Sequence, residues 1–299
     1  MAVNDHGSIR AAARALHLTQ AALTKSLRQL EESAGVALLL RQSRGVKLTE
    51  HGTRLHQRAQ LVVSQIQLAQ DELRHLQGLE TGTVRAGLTP YLMLTAAGEA
   101  FKWFRKRYPG VSLSLVEGLV SRVLPALRDG SLDFAIVADS GDVTDHEFEA
   151  TPLQTLQQVL VVRSGHPLLA APNVTALSLL EWVLPGPMAK ELDRGMVELF
   201  ARSHVAPPLR VTRCDALGAL ALVRLSDAVT IMPKPLLALP ETHGSVSYTH
   251  LTLPLVMPDF EVPPVTLVLL TRPEVPLTPT AAYFSRCLMD ANPAGVKAA

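Results

Sequence analysis

The chain has 299 residues, a hydrophobic fraction of 47%, a charged fraction of 18% and a net charge of +1. This length exceeds what one hydrophobic core usually holds, so we expect roughly two or three domains, and the composition is that of a soluble globular protein. No apolar run approaches the ~20 residues of a membrane span, and the N-terminus lacks a signal-peptide pattern, so we expect a cytoplasmic protein without membrane contact.

Charge is distributed unevenly along the sequence. Residues 1–58 hold nine Lys and Arg side chains against four acidic ones, a net charge of +5, and the remainder carries −4. A small basic segment on a mildly acidic body is typical of a nucleic-acid-binding module joined to another domain.

The first predicted elements are two helices in the basic segment. Residues 8–16 form a short Ala-rich helix with Ser8 as N-cap, and Thr19 caps a second helix over residues 20–34 that ends at Gly35. The apolar stripe predicted to be buried on the second helix is Leu23, Leu27, Leu30 and Ala34. The short connecting turn predicts a helix-turn-helix, and the alternative is an ordinary helical hairpin with a solvated basic face.

The outward face of the second helix carries polar and basic side chains. Gln and Arg can pair bidentately with base edges, Thr can donate or accept a hydrogen bond, and a small Ala admits close approach to a groove. We therefore predict DNA contacts by Thr19, Gln20, Ala21, Thr24, Lys25 and Arg28.

Two short β-runs follow, at residues 36–41 and 46–49, around a basic turn. This pattern predicts a wing beside the helix-turn-helix. Its Arg41, Arg44 and Lys47 can reach phosphates or a minor groove.

One long helix is predicted over residues 49–77. A narrow apolar seam repeats along it at alternating steps of four and three: Leu55, Ala59, Val62, Ile66, Ala69, Leu73 and Leu76. Such a seam on an otherwise polar helix predicts a dimerising coiled coil, although packing of this helix on the body of its own chain remains the alternative.

The rest of the sequence alternates strands and helices. Strands at residues 83–88, 111–117 and 132–137 alternate with a helix that continues to Tyr108 and another at residues 121–129, which predicts a parallel sheet covered by helices on both faces. A strand at residues 158–163 leads into a second α/β unit, and a strand at 265–270 precedes a last helix at 280–290.

The N-terminal segment resembles the signature of LysR-type transcriptional regulators. The resemblance holds its spacing over about 45 residues and rests on Gly7, Ser8, Ala12, Ala13, Leu16, Leu18, Gln20, Leu27, Leu30, Glu31, Gly35, Val36, Leu38, Arg41, Arg44, Gly45, Leu48, Thr49 and Gly52. Weaker landmarks of the same family continue through most of the chain.

This resemblance implies an α/β multidomain protein. A winged helix-turn-helix would occupy residues 1–58, a linker and dimerisation helix 49–78, and an effector-binding domain 79–299, similar to type 2 periplasmic binding proteins, with one lobe at 83–158 and 265–292 and the other at 159–264. The implied partners are double-stranded DNA, a small-molecule effector and further copies of the chain in a homodimer or homotetramer. RNA polymerase is a further candidate partner.

Two segments depart from the family pattern. A helix usually precedes the positions of Gly7 and Ser8, but only residues 1–6 stand before them, so we expect that helix to be missing. Residues 246–254 look like a translated sequencing adaptor and carry no functional weight. The alternatives to a working regulator are therefore a head disabled by truncation and a solute-binding protein without DNA-binding activity.

The effector site is expected at the carboxyl ends of strands, between the lobes. By resemblance, one lobe supplies Thr89, Tyr91 and Ser121, and the other supplies Pro185, Gly186, Cys214 and Asp215. Thr89 precedes a predicted helix and could help to hold an anion, so an anionic organic effector is our hypothesis. The alternative for Thr89 and Ser121 is that they only begin helices.

Catalytic and cofactor sites are not indicated. The sequence lacks a phosphate-binding Gly-Lys-Ser/Thr loop, a nucleophile elbow and a His-Glu-x-x-His motif. Cys214 and Cys287 have no zinc or redox spacing. We expect a protein that is not an enzyme and that has no cofactor and no metal.

Overall fold

The structure is a computed structural model that describes residues 1–42, 45–77, 81–139, 147–186, 194–238, 252–257, 260–273 and 275–292. It divides into two compact units. The first contains Met1–Leu79 with Pro125–Ser131, and the second contains Glu80–Leu124 with Leu132–Ala299. Within the described ranges, no helix is both long enough and apolar enough to cross a membrane.

The first unit contains the head and the long helix. Its elements are α1 (Ala2–His6), α2 (Ile9–Ala15), α3 (Gln20–Ala34), β1 (Leu39–Gln42), β2 (Gly45–Leu48) and α4 (Glu50–Leu76). Both predicted N-caps are confirmed, because the Ser8 hydroxyl accepts from Ala11 N and the Thr19 hydroxyl accepts from Ala22 N, each at 3.1 Å. Gly35 ends α3 in the left-handed region with φ 68°, which a glycine adopts without strain.

The segment before Ser8 is helical, which corrects the expectation that the first helix is missing. Helix α1 buries Val3 in a small core with Ala12, Ala13 and Leu23. The predicted stripe of α3 is buried only in part, since Leu30 is 47% exposed. Leu30 instead lines an apolar groove together with residues of α1 and α4.

The predicted wing is present as an antiparallel pair of strands. Strands β1 and β2 pair from Leu39 with Leu48 to Gln42 with Gly45. Backbone N–H of Val46 donates to the carbonyl oxygen of Gly7 at 3.1 Å, which ties the wing to the start of the helical segment. Ser43 and Arg44, at the tip of the predicted turn, lie outside the described residues.

The second unit contains two lobes. Its elements in chain order are β3 (Gly82–Leu88), α5 (Pro90–Thr95), α6 (Ala97–Arg107), β4 (Val111–Glu117), α7 (Val120–Arg128), which continues into the first unit, β5 (Phe134–Asp139), β6 (Glu149–Leu156), β7 (Gln158–Arg163), α8 (Pro167–Ala170), β8 (Glu181–Pro185), α9 (Arg194–Arg202), β9 (Arg210–Cys214), α10 (Ala216–Arg224), β10 (Thr230–Pro233), β11 (Thr252–Leu255), β12 (Val265–Thr271) and α11 (Pro279–Asp290). The helix predicted to continue to Tyr108 is therefore two helices, which meet at Ala96.

The first lobe is built on a five-stranded sheet in the order β4-β3-β5-β12-β6. Strands β4, β3 and β5 run parallel, as predicted, whereas β12 runs antiparallel to β5 and β6. The sheet is mixed because β12 enters it on the return from the second lobe rather than through a helical crossover. Its core is aromatic, with Phe104 and Phe284 at a centroid distance of 5.2 Å.

The second lobe has a sheet in the order β10-β7-β11 and a parallel pair, β8 and β9. Trp182 on β8 is fully buried between Phe200 and Phe260, and its indole N–H donates to the carbonyl oxygen of Leu177 at 2.8 Å. Parallel pairing brings the carboxyl ends of β8 and β9 to one edge, where the predicted ligand residues lie.

Candidate nucleic-acid interface and ligand site

The predicted recognition face lies on the first turns of α3. Five of its side chains lie together on the outward surface of α3: Gln20, Ala21, Thr24, Lys25 and Arg28. Ala12 and Ala13 of α2 are buried at 0% and 2% exposure, and their small side chains let the two helices pack closely. His17, with φ 55°, makes the tight turn that sets the angle between the helices.

The chemistry of this face suits DNA. Thr19 caps α3, so its hydroxyl lies beside the first-turn amides that favour phosphate. Lys25 and Arg28 are exposed, and among the residues that the structure describes no carboxylate forms an ion pair with either. Both cations are therefore free to meet phosphates or base edges.

The wing residues are placed unequally by the structure. The backbone of Arg41 lies in β1 opposite Val46, and Lys47 is exposed on β2. The predicted phosphate contact of Arg44 falls outside the described residues. The structure thus describes the base of the wing, and the hypothesis that Arg44 contacts a phosphate rests on the sequence alone.

The predicted ligand residues of the first lobe lie in two kinds of place: at the starts of helices, and in the core of the lobe. Thr89 follows β3 and is buried, and its hydroxyl accepts from Leu92 N at 3.5 Å as a helix cap. Ser121 is exposed in the first turn of α7. Tyr91 is 2% exposed and donates its hydroxyl to Asn292 Oδ1 at 2.9 Å, so its side chain belongs to the core of the lobe rather than to an open site.

The predicted residues of the second lobe come together. Pro185 pairs with Cys214 in the parallel register of β8 and β9, and Gly186 N donates to the carbonyl oxygen of Cys214 at 3.0 Å. Gly186 has φ 144°, a backbone conformation that residues with a Cβ atom rarely adopt. Asp215 caps α10, where its carboxylate accepts from Gly218 N at 2.6 Å.

Glu117, a residue that the sequence analysis did not select, joins the two groups. It ends β4 in the first lobe, and its Oε1 accepts from Ala216 N of the second lobe at 3.4 Å. Gly118 N donates to the carbonyl oxygen of Leu88 at 2.7 Å, which holds the ends of β3 and β4 together. Glu117 could have been found as the last residue of a predicted strand, but its partner lies 99 residues away in the sequence.

Electrostatics at this edge keep the cysteine neutral. Burial, followed by the nearby Asp215 and Glu117 carboxylates, raises the pKa of the Cys214 thiol. A thiolate here would lose hydration and meet two negative charges. Cys214 is therefore a poor nucleophile at neutral pH. No group of His, Cys, Asp and Glu within the described ranges could hold a metal ion.

A helix-turn-helix head and a two-lobed α/β domain with a polar edge define a DNA-binding regulator that carries a ligand-binding domain. Family comparison gives the same class. The model for bacterial regulatory helix-turn-helix proteins of the lysR family matches residues 1–53, and the model for the LysR substrate binding domain matches residues 77–293. The chain belongs to the LysR family and is a LysR-type DNA-binding transcriptional regulator. Because the helix-turn-helix model matches residues 1–53, the alternative of a disabled head is not favoured.

Curated relatives are regulators too. The SDS degradation transcriptional activation protein of Pseudomonas sp. (strain ATCC 19151) is 31% identical over 243 residues, which cover 80% of this chain and 78% of that protein. The HTH-type transcriptional regulator PcaQ of Agrobacterium fabrum is 29% identical over 276 residues, which cover 91% of this chain and 87% of that protein.

Solved structures share the fold. ArgP from Mycobacterium tuberculosis has a TM-score of 0.68 at 19% identity, with 98% of this chain and 94% of that chain covered. CbnR, a LysR family transcriptional regulator, has a TM-score of 0.64 at 19% identity, with 97% of this chain and 96% of that chain covered. At these identities the likeness confirms the predicted fold class.

Proposed function

We propose that this regulator binds double-stranded DNA as a homodimer, or as a pair of dimers, through the outward face of α3. The observation that carries this proposal is the gathering of Gln20, Thr24, Lys25 and Arg28 on one exposed surface, with Ala21 between them. Gln20, Thr24, Lys25 and Arg28 read bases or phosphates, Thr19 positions the helix terminus, and Arg41 and Arg44 anchor the DNA backbone.

Dimerisation is proposed through the apolar seam of α4. Five large side chains of the seam are exposed in the chain taken alone: Leu55, Val62, Ile66, Leu73 and Leu76. A second α4 would bury them and would place two recognition helices on two half-sites, which a single small head needs for useful specificity.

The second unit is proposed to bind a small organic effector with an anionic group. In this proposal Pro185, Gly186, Cys214 and Asp215 supply the second-lobe wall, and Thr89 and Ser121 supply the contribution of the first lobe. The partial positive charge at the N-terminus of α10 favours negative charge there. Effector binding changes the closure of the lobes and so the spacing of the DNA heads.

The resulting activity is control of transcription rather than catalysis. The protein acts in the cytoplasm on promoter DNA, with RNA polymerase as the machinery that it influences. This assignment rests on the family, whose curated relatives are regulators.

The effector site is tested by thermal shift of the full chain against a panel of small carboxylates and matched neutral amides. We expect a carboxylate, but not its amide, to raise the unfolding temperature. Ser121→Ala should raise the dissociation constant obtained from the concentration dependence of this shift about tenfold, by the loss of a hydrogen bond worth roughly 1.4 kcal/mol. Ser112→Ala, at the other end of β4, serves as the matched control. Stabilisation by amides alone would refute the anionic effector.

A further inference from the structure

A hollow of the second unit lies where β6 ends and the chain continues into β7. Its volume is about 530 Å³, which is within the range of small-molecule sites. Strand β6 and strand β4 are the two edges of one five-stranded sheet, so at ~4.8 Å between neighbouring strands they lie roughly 19 Å apart. The predicted effector residues are all described by the structure, and none of them lines this hollow. It is therefore a place separate from the proposed effector site. The lining residues that matter below are Gln154, Leu156, Gln157, Lys234 and Leu237.

The lining of the hollow is mainly apolar because it borders the core of the first lobe. Leu156 is 2% exposed, and Leu237 packs against the same core cluster. Leu237 lies in a short 3-10 helix, Lys234–Ala238. This helix is held beside the end of β6 by the backbone N–H of Lys234, which donates to the carbonyl oxygen of Gln157 at 2.8 Å. A hydrocarbon group placed against these leucines would leave water, which favours its binding.

A chain of hydrogen bonds from the core orients the amide of Gln154. The Tyr91 hydroxyl donates to Asn292 Oδ1 at 2.9 Å, and Asn292 Nδ2 donates to Gln154 Oε1 at 2.7 Å. Burial raises the pKa of Tyr91, so its hydroxyl keeps its proton and remains the donor of the first bond. The amide oxygen of Gln154 is thus occupied, and its Nε2 hydrogens are left to donate at the hollow. Tyr91, which was predicted to contact the effector, instead helps to fix this donor.

Lys234 adds a positive charge at the same place. Its side chain lines the hollow and is exposed, and within the described ranges no carboxylate forms an ion pair with it. An ammonium group and an amide N–H₂ group both donate hydrogen bonds, and the ammonium favours an anionic acceptor. Two donors beside apolar walls therefore match a ligand that has one carboxylate and a hydrocarbon body.

We propose that this hollow is an accessory binding site for a small apolar carboxylic acid in its ionised form. Lys234 and the Nε2 group of Gln154 bind the carboxylate, and Leu156 and Leu237 contact the hydrocarbon. Charge complementarity selects this ligand over an amine or an alcohol of the same length. The site goes beyond the effector site proposed above and does not depend on it, since the two share no residue.

Methyl NMR of the full chain, with hexanoate as the probe, tests the site directly. We expect hexanoate to shift the methyl signals of Leu156 and Leu237 in a saturable way. Hexan-1-ol, which has the same hydrocarbon chain without the charge, should need an about fivefold higher concentration, as is typical of an exposed ion pair. Equal affinity for the two probes, or no shift at these leucines, would overturn the proposal. Hexanoate shifts at Leu88, beside Thr89, without shifts at Leu156 would place the ligand at the effector site and would also overturn it, while the proposed function would stand.

Two variants assign the carboxylate contacts in the same titration. Lys234→Gln should weaken hexanoate about fivefold and leave hexan-1-ol unchanged, since only the charge is lost. Gln154→Glu keeps the oxygen that accepts from Asn292 but turns the free donor into a negative charge, so it should weaken hexanoate about tenfold. Lys102→Gln makes the same charge change on an exposed lysine of α6 and is the matched control. Equal hexanoate affinity in Lys234→Gln and Lys102→Gln would refute the role of Lys234 and with it the proposed ligand class.

Discussion

Replacement of Ile66 by Asp should abolish dimerisation at concentrations where the unaltered chain is a dimer. The five large seam side chains of α4 have exposures of 39% to 82%, which together correspond to about three fully exposed side chains. At ~2 kcal/mol for each fully buried apolar side chain, two protomers gain about 12 kcal/mol before the cost of association. Ile66→Asp removes apolar burial from both helices and places two carboxylates in the seam, a loss of roughly 4 kcal/mol or about a thousandfold in the dimer dissociation constant.

Sedimentation velocity over a dilution series measures this change directly. Gln67→Asp adds the same charge one residue further along, at an exposed position off the seam, and should leave the dimer intact. Equal dissociation constants for Ile66→Asp and the unaltered chain would refute the seam as the dimer interface and would favour another surface.

Three further predictions concern the head, the second lobe and the cysteine. Arg44→Ala should weaken binding to all DNA sequences and lower the slope of log K against log salt by about 1.8 in a dimer, at 0.9 for each phosphate contact, and an unchanged slope would contradict the wing contact. Trp182→Phe leaves the buried carbonyl oxygen of Leu177 without its donor and should cost roughly 2–3 kcal/mol, a fall of several degrees in unfolding temperature by calorimetry; an unchanged temperature would argue against this core. Burial and two carboxylates raise the pKa of Cys214, so iodoacetamide should modify this thiol more slowly than a free cysteine at pH near 8.5, and faster as the pH rises. Glu117→Gln should move this dependence of the modification rate on pH to lower pH. Peptide mapping that shows the rate of a free cysteine would contradict the prediction.

Features that depend on neighbouring residues could be predicted from sequence. The caps at Ser8 and Thr19 accept from amides three residues ahead, so their signals are complete within one turn. The apolar repeat of α4 and the alternating strands were equally visible, and they led to the correct fold class. The face of α3 was predicted for the same reason, because helical spacing alone brings its polar residues together.

Features that depend on contacts between residues far apart in the sequence could not be predicted. Strand β6 contains Pro152, which argues against a strand, yet β6 is the edge of its sheet, where proline is tolerated. The direction of β12 is decided by the return of the chain from the second lobe. Glu117 had no local signal for its role, since its partner Ala216 is far away in sequence. The exposure of Leu30 likewise depends on which elements cover α3, not on its own periodicity.

A gel shift of the full 299-residue chain on the DNA upstream of its own gene, with excess nonspecific competitor, tests DNA recognition by α3 most directly. The expected result is a specific shift that Arg28→Ala weakens strongly and that the distant control Arg74→Ala leaves unchanged. A dimeric protein that gives no specific shift, or a shift that Arg28→Ala does not affect, would contradict the assignment of this face as the DNA-binding surface.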